Sequence, residues 1–140
     1  MATRSRIGLL EGETVKSVYC HWDGYPSHNG RILVEFYKDI DRVKELLELG
    51  NLSVLAPRIH PEGVHTFENR EKDTCLFYSR DRKDENESAI VESLEDYLNF
   101  AQKDWSEYHY LYKDGEWYYV HMHDEVKNLE PLTQDIFTEE

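Results

Sequence analysis

The sequence predicts an α+β fold: an antiparallel sheet of about five strands, built on two hairpins, with about three helices packed on one face. Three observations carry this. Apolar and aromatic runs with a period of two stand near both ends of the chain. Between them, apolar residues recur at helical spacing. The resulting order, β β α α β α β β, does not alternate strictly and so argues against a wound parallel sheet.

Residues 6–10, RIGLL, read as the first strand, and EGET supplies a Gly turn. Residues 15–22 read as the second, completing a hairpin. Its period of two sends Val18, Cys20 and Trp22 inward and Tyr19, His21 and Asp23 to the other face. DGYPSHNG, residues 23–30, is loop, because Asp-Gly, Pro and Asn-Gly are turn formers. Ile32, Leu33, Phe36 and Tyr37 then share one helix face within residues 31–38. Asp39 or Asp41 caps a further helix carrying Ile40, Val43, Leu46 and Leu47, and Gly50 ends it.

Residues 51–74 read as loop, with a short turn at 52–55, since Pro57 and Pro61 break helices. CLFYSRD, from Cys75, reads as a strand. Ser88 caps a helix over residues 89–103, with Ile90, Val91, Leu94, Leu98 and Ala101 on one stripe. The last hairpin turns at Asp114-Gly115, a type I′ dipeptide. That turn pairs Tyr112 with Trp117, Tyr110 with Tyr119 and Tyr108 with His121 on one face; Leu111 with Tyr118 and His109 with Val120 fall on the other. Its rings on both faces predict cover on both sides. Residues 1–123 form one domain, and 124–140 form an acidic tail or a docked segment.

The chain has 140 residues and a net charge of −13, a field that disfavours direct nucleic-acid and anionic-membrane contact. No stretch approaches a membrane span or a signal peptide, so an intracellular protein is expected. The acidity leaves a solvated cytosolic protein, a binder of basic surfaces, or a nucleic-acid mimic. Two cysteines, Cys20 and Cys75, without CxxC spacing read as buried thiols.

VYCHWDGYPSHNGRILVEFY, residues 18–37, concentrates reactive residue types. Cys20 and His21 are neighbours on a strand and point apart, so they do not form a thiolate–imidazole pair. His21 and Asp23 share a face at a spacing that suits a carboxylate orienting a general base, or equally a hydrogen bond at a strand end. His121 and His123 beside Asp124 offer imidazoles to a metal, but no ligand motif accompanies them, and no metal or cofactor is expected. SHNGR before a helix, and Arg80 and Arg82 in SRDRKD, could face an anion or pair with nearby carboxylates.

Residues 4–55 carry an R-I-G start, the block Y-C-H-W-D-G-Y-P, a G-x-x-L helix and a V-x-x-L-L-x-L-G-x-L-S run. FYSRDR and YLYKDGEWYYV follow downstream. This set resembles a group of small, largely uncharacterised bacteriophage proteins, over about residues 4–120. The resemblance brings no catalytic or ligand residues. It implies an accessory product acting in the host cytoplasm, by inhibiting a host enzyme, defeating a defence or sequestering a signal molecule.

The expected function is therefore binding without catalysis, of a host protein or a nucleotide-like ligand. Tyr19, His21, Asp23 and Tyr25 would floor the pocket, with Arg80 and Arg82 at its rim. A small nucleotide-directed hydrolase or transferase using His21 and Asp23 is the alternative, and an acidic nucleic-acid mimic the third.

Overall fold

The computed structural model describes residues 3–63, 65–85, 87–99, 106–122 and 129–132. Two hairpins form the middle of its sheet. β1 (Ser5–Glu11) and β2 (Thr14–Cys20) pair antiparallel across a two-residue turn. β6 (Tyr108–Lys113) and β7 (Glu116–His121) pair across Asp114-Gly115, whose φ values of 53° and 81° are those a type I′ turn demands. The cross-strand pairs expected of this hairpin are all present.

The remaining strands are short: β3 (Leu52–Val54), β4 (Leu76–Phe77), β5 (Ile90–Ser93) and β8 (Glu130–Pro131). Among the described residues the sheet therefore has eight strands, against the about five expected, in the order β4-β3-β2-β1-β6-β7-β8, with β5 also on β2. It is mixed rather than antiparallel, because β1 runs parallel to β6 and β2 parallel to β3. Strands of two to four residues are too short to print a period of two, which explains the difference.

Residues 89–103 depart most from expectation. Ile90 and Val91 belong to β5, opposite Ser17 and Lys16 of β2, and Val91 is 65% exposed. A helix, α4 (Leu94–Asn99), starts only after Ser93, whose hydroxyl accepts from the Asp96 N–H at 3.1 Å. The cap is thus Ser93 rather than Ser88. Paired β-branched residues favour a strand, and the apparent helical stripe was two elements read as one. Residues 100–105, with Ala101, lie outside the described residues.

Before β3, residues 26–30, expected as plain loop, form a wide π turn (Pro26–Gly30) that leads into α1 (Arg31–Phe36), within the helix expected over residues 31–38. α2 (Ile40–Glu48) follows, with Asp39 accepting from the Asp41 N–H at 3.0 Å as N-cap. It buries Val43, Leu46 and Leu47, while Ile40, at the first turn, stays exposed. These join Ile7, Leu9, Val18, Cys20, Leu33, Tyr110, Tyr112 and Trp117 in the main core. On the opposite face Tyr97 of α4 packs with Val15 and Leu111. Helices therefore cover both faces of the sheet, not one, in keeping with the two-sided aromatic hairpin.

β2 ends at Cys20, so the expected inward set stops there, and Trp22 is 45% exposed rather than buried. The expected strand at Cys75 is only two residues long before α3 (Tyr78–Arg82) begins. Within the expected tail, Glu130 and Pro131 pair with β7 and Leu132 is buried; residues 123–128 and 133–140 lie outside the described residues. Among the described residues no helix is long and apolar enough to cross a membrane.

The segment before β4 folds around one carboxylate. Glu71 accepts from the backbone N–H groups of Glu62 (2.9 Å) and Gly63 (3.0 Å) and from the Thr74 hydroxyl (3.1 Å). The Glu62 N–H, foremost among these, holds its carboxyl below the usual glutamate value. A depressed folded-state pKa contributes stability above the unfolded value, lost as pH falls through the folded one. Glu71→Gln is expected to lower the urea midpoint at pH 7, with the gap from wild type closing below about pH 4. A gap that persists unchanged at pH 3 would assign the effect to packing instead.

Candidate functional site

β1 occupies one edge of β2 along its whole length. The other edge is shared: β5 covers Thr14 to Ser17, and β3 takes over at Cys20. At the change of partner, among the described residues, no strand pairs with Tyr19 on this edge. Its N–H instead donates to the Asn51 side-chain oxygen at 2.8 Å. A cavity of about 420 Å³ lies here, lined by Arg6, Tyr19, Asn51, Tyr78, Arg82 and Glu87.

Asn51 is the hub of this arrangement. Its N–H donates to the Glu87 carbonyl at 2.7 Å, and its carbonyl accepts from the Tyr78 N–H at 3.2 Å. Its side-chain Nδ2 donates to Glu87 Oε1 at 3.2 Å. One residue thus fixes β2, the start of α3 and the chain at Glu87. Gly50 lets this happen: its φ is +86°, and a Cβ there would lie 2.2 Å from the Glu87 carbonyl oxygen.

The hairpin register puts Arg6 opposite Tyr19 on the face away from the main core. Arg6 is buried, and its Nε and Nη2 donate to the Ser17 hydroxyl (3.0 Å) and carbonyl (3.2 Å). Arg82 enters from α3, its guanidinium 4.8 Å from the Tyr78 ring centre and 4.9 Å from that of Phe67. Asp84 receives its Nε and Nη2, at 3.0 and 2.6 Å. Tyr78 carries a phenol pushed up in pKa chiefly by burial, so its ring enters any binding event neutral.

Of the residues expected at a pocket, Tyr19 and Arg82 meet in this cavity. His21 reaches it indirectly: its Nδ1 lies 2.7 Å from the Tyr19 hydroxyl. Burial, and then the charge of Arg4, hold the His21 imidazole below its ordinary pKa. Asp23 does not orient it. With β2 finished at Cys20 and Asp23 turned to φ +56°, the shared face is lost, and Asp23 accepts from the Tyr25 hydroxyl at 3.4 Å. Asp23 and Tyr25 sit at the start of the π turn, outside the cavity lining. Arg80 is spent on architecture: it forks onto Asp81 at 2.9 and 3.1 Å and donates to the carbonyls of Ile59 and Cys75.

The expected thiols are both buried and free. Burial pushes Cys20 up to about 12, so it stands as a neutral thiol at pH 7, unsuited to nucleophilic attack. Asn29 of the SHNGR stretch turns inward, its amide within 3.4 Å of the Ser5 hydroxyl, Cys20 Sγ and the Trp22 carbonyl. That stretch is a tied corner of the fold. His121 stacks on Tyr108 at 4.7 Å; His123 and Asp124 lie outside the described residues. Among the described residues no group of three or more His, Cys, Asp or Glu is placed to hold a metal.

Arg6, Asn51, Tyr78 and Glu87 were not anticipated. Arg6 had a signal, because a charge inside an alternating strand pairs with Tyr19 once the turn is placed at Gly12-Glu13. Tyr78 had one too, four residues before Arg82, a helical neighbour spacing. Asn51 and Glu87 had none. No family model, curated protein or solved structure matches the chain.

Proposed function

We propose that the chain is an accessory binding protein that holds a small nucleotide-like ligand in the cavity beside β2. The observation that carries this reading is the convergence of two guanidinium groups, Arg6 and Arg82, and two phenol rings, Tyr19 and Tyr78, on one recess of about 420 Å³. Ligand cavities span about 300–1,000 Å³, and nucleotides combine a flat ring with an anionic tail. In a chain of net charge −13 an anion needs a local source of positive charge; Arg6 and Arg82 bring guanidinium groups to the recess, and a phosphate there shares Arg82 with Asp84. The resemblance to phage proteins adds the setting of a product acting in the host cytoplasm, where sequestering such a ligand serves takeover or counter-defence. His21, bonded to a phenol and not to a carboxylate, lends no support to the hydrolase alternative.

Isothermal titration with a panel of nucleoside monophosphates tests the reading. At least one is expected to bind, and Arg82→Ala to weaken it about tenfold or more, the worth of a charge-assisted hydrogen bond of about 1.5–3 kcal/mol. Arg82 is exposed, so the variant is expected to fold. Absence of binding by every member of the panel to folded wild type would sink the proposal.

A further inference from the structure

The polar groups of the cavity are not equally available to a ligand. Asn51 has both ends of its amide engaged: Oδ1 accepts from the Tyr19 N–H and Nδ2 donates to Glu87. Reading adenine through its N6 and N7 needs a free amide donor and acceptor on one side chain, and Asn51 has neither to give. The Tyr19 hydroxyl is held by His21. Arg6 is held by Ser17, and Arg82 meets Asp84 through Nε and Nη2; both are donors only, and the Arg82 Nη1 group remains to donate to an anionic tail.

Glu87 differs. Asn51 Nδ2 meets its Oε1, which leaves Oε2 and a further lone pair on Oε1 as acceptors at the cavity wall. A carboxylate is an acceptor-only fork, complementary to two adjacent N–H donors on one planar edge. Among the common bases guanine alone presents such an edge, from N1–H and the exocyclic N2 amine. Adenine and cytosine each place a ring-nitrogen acceptor beside their amine, and that lone pair would oppose the carboxylate. Uracil offers one donor between two carbonyl oxygens. Asn51 also fixes the fork, so its orientation is set before a ligand arrives.

We infer that the cavity selects a guanine nucleotide, with the Glu87 carboxylate reading the N1–H and N2 amine and the Arg6 and Arg82 side of the recess taking the phosphate. This rests on the nucleotide-binding reading and specifies the base.

The test is isothermal titration of the full chain with GMP, IMP, AMP, CMP and UMP. GMP is expected to bind at least tenfold tighter than AMP, CMP or UMP. IMP, which keeps N1–H and lacks the N2 amine, is expected to fall between, about fivefold or more weaker than GMP. Glu87→Gln preserves the acceptor for Asn51 and replaces one arm of the fork by a donor. It is expected to lose at least tenfold for GMP without a comparable loss for AMP, whose amine and ring nitrogen the new amide can meet. The IMP comparison needs no variant, so a folding defect in Glu87→Gln does not remove the test. If AMP or a pyrimidine binds as tightly as GMP, or IMP equals GMP, base selection by Glu87 is overturned while nucleotide binding stands. If no nucleotide binds to folded wild type, both fall together.

Discussion

Gly50→Ala is expected to destabilise the protein by about 3 kcal/mol or more, lowering the melting temperature by about 10 °C. Two penalties combine. The left-handed φ of +86° costs an alanine about 1–2 kcal/mol. The new methyl would also stand 2.2 Å from the Glu87 carbonyl oxygen, and a backbone atom cannot swing aside as a side-chain tip can. The chain at residue 87 must move, and with it the bond from the Asn51 N–H. Gly115→Ala separates the two penalties. Gly115 has a similar φ of +81° with nothing within 4 Å of a Cβ, so it reports the conformational cost alone. Thermal melts of both variants check the claim. Equal losses would mean that the close approach of residues 50 and 87 does not exist in solution, and the cavity wall built on it would go too.

Trp117→Ala is expected to cost about 3–5 kcal/mol, the range for emptying a large aromatic site. Trp117 is buried, its ring 5.2 Å from that of Tyr112, and its Nε1–H donates to the Tyr37 carbonyl at 2.8 Å. It therefore joins the last hairpin to the end of α1, far along the chain. Trp117→Phe keeps most of the ring and strands the Tyr37 carbonyl, for an expected loss of about 1–3 kcal/mol. Urea unfolding of the two variants, fitted with a common slope, measures both. If Trp117→Phe is as damaging as Trp117→Ala, the hydrogen bond outweighs the packing; if both are near neutral, the hairpin is not anchored there.

Both sites show how differently parts of this protein were written into its sequence. Trp117 and its partners were legible because Asp114-Gly115 admits one turn type, and one turn type fixes every pair in the hairpin. The α2 helix was legible because an Asp cap, a periodic apolar face and a terminal Gly agree. The inward turn of Val18 and Cys20 followed from strand period alone. His21 and Asp23 do not share a face as the period of two predicts, since that period holds only while the strand lasts, and β2 stops at Cys20. β5 is hidden in the sequence because its two β-branched residues, beside a true helix start, complete a helical stripe.

By itself, then, the sequence determined the α+β class, the register of the last hairpin, the buried thiols, and Tyr19 and Arg82 as residues to look for at a recess. All of these follow from local periodicity, turn chemistry and residue type. Only the tertiary structure decided that β1 lies beside β6, that helices cover both faces, and that β2 changes partner from β5 to β3 beside Tyr19. The cavity exists because of that change. Asn51 and Glu87 meet there across 36 residues of chain, through a glycine with no room for a side chain. Pairings of that span depend on how short strands compete for one open edge. A two- or three-residue strand carries too little pattern to announce its partner, so long-range packing makes the choice.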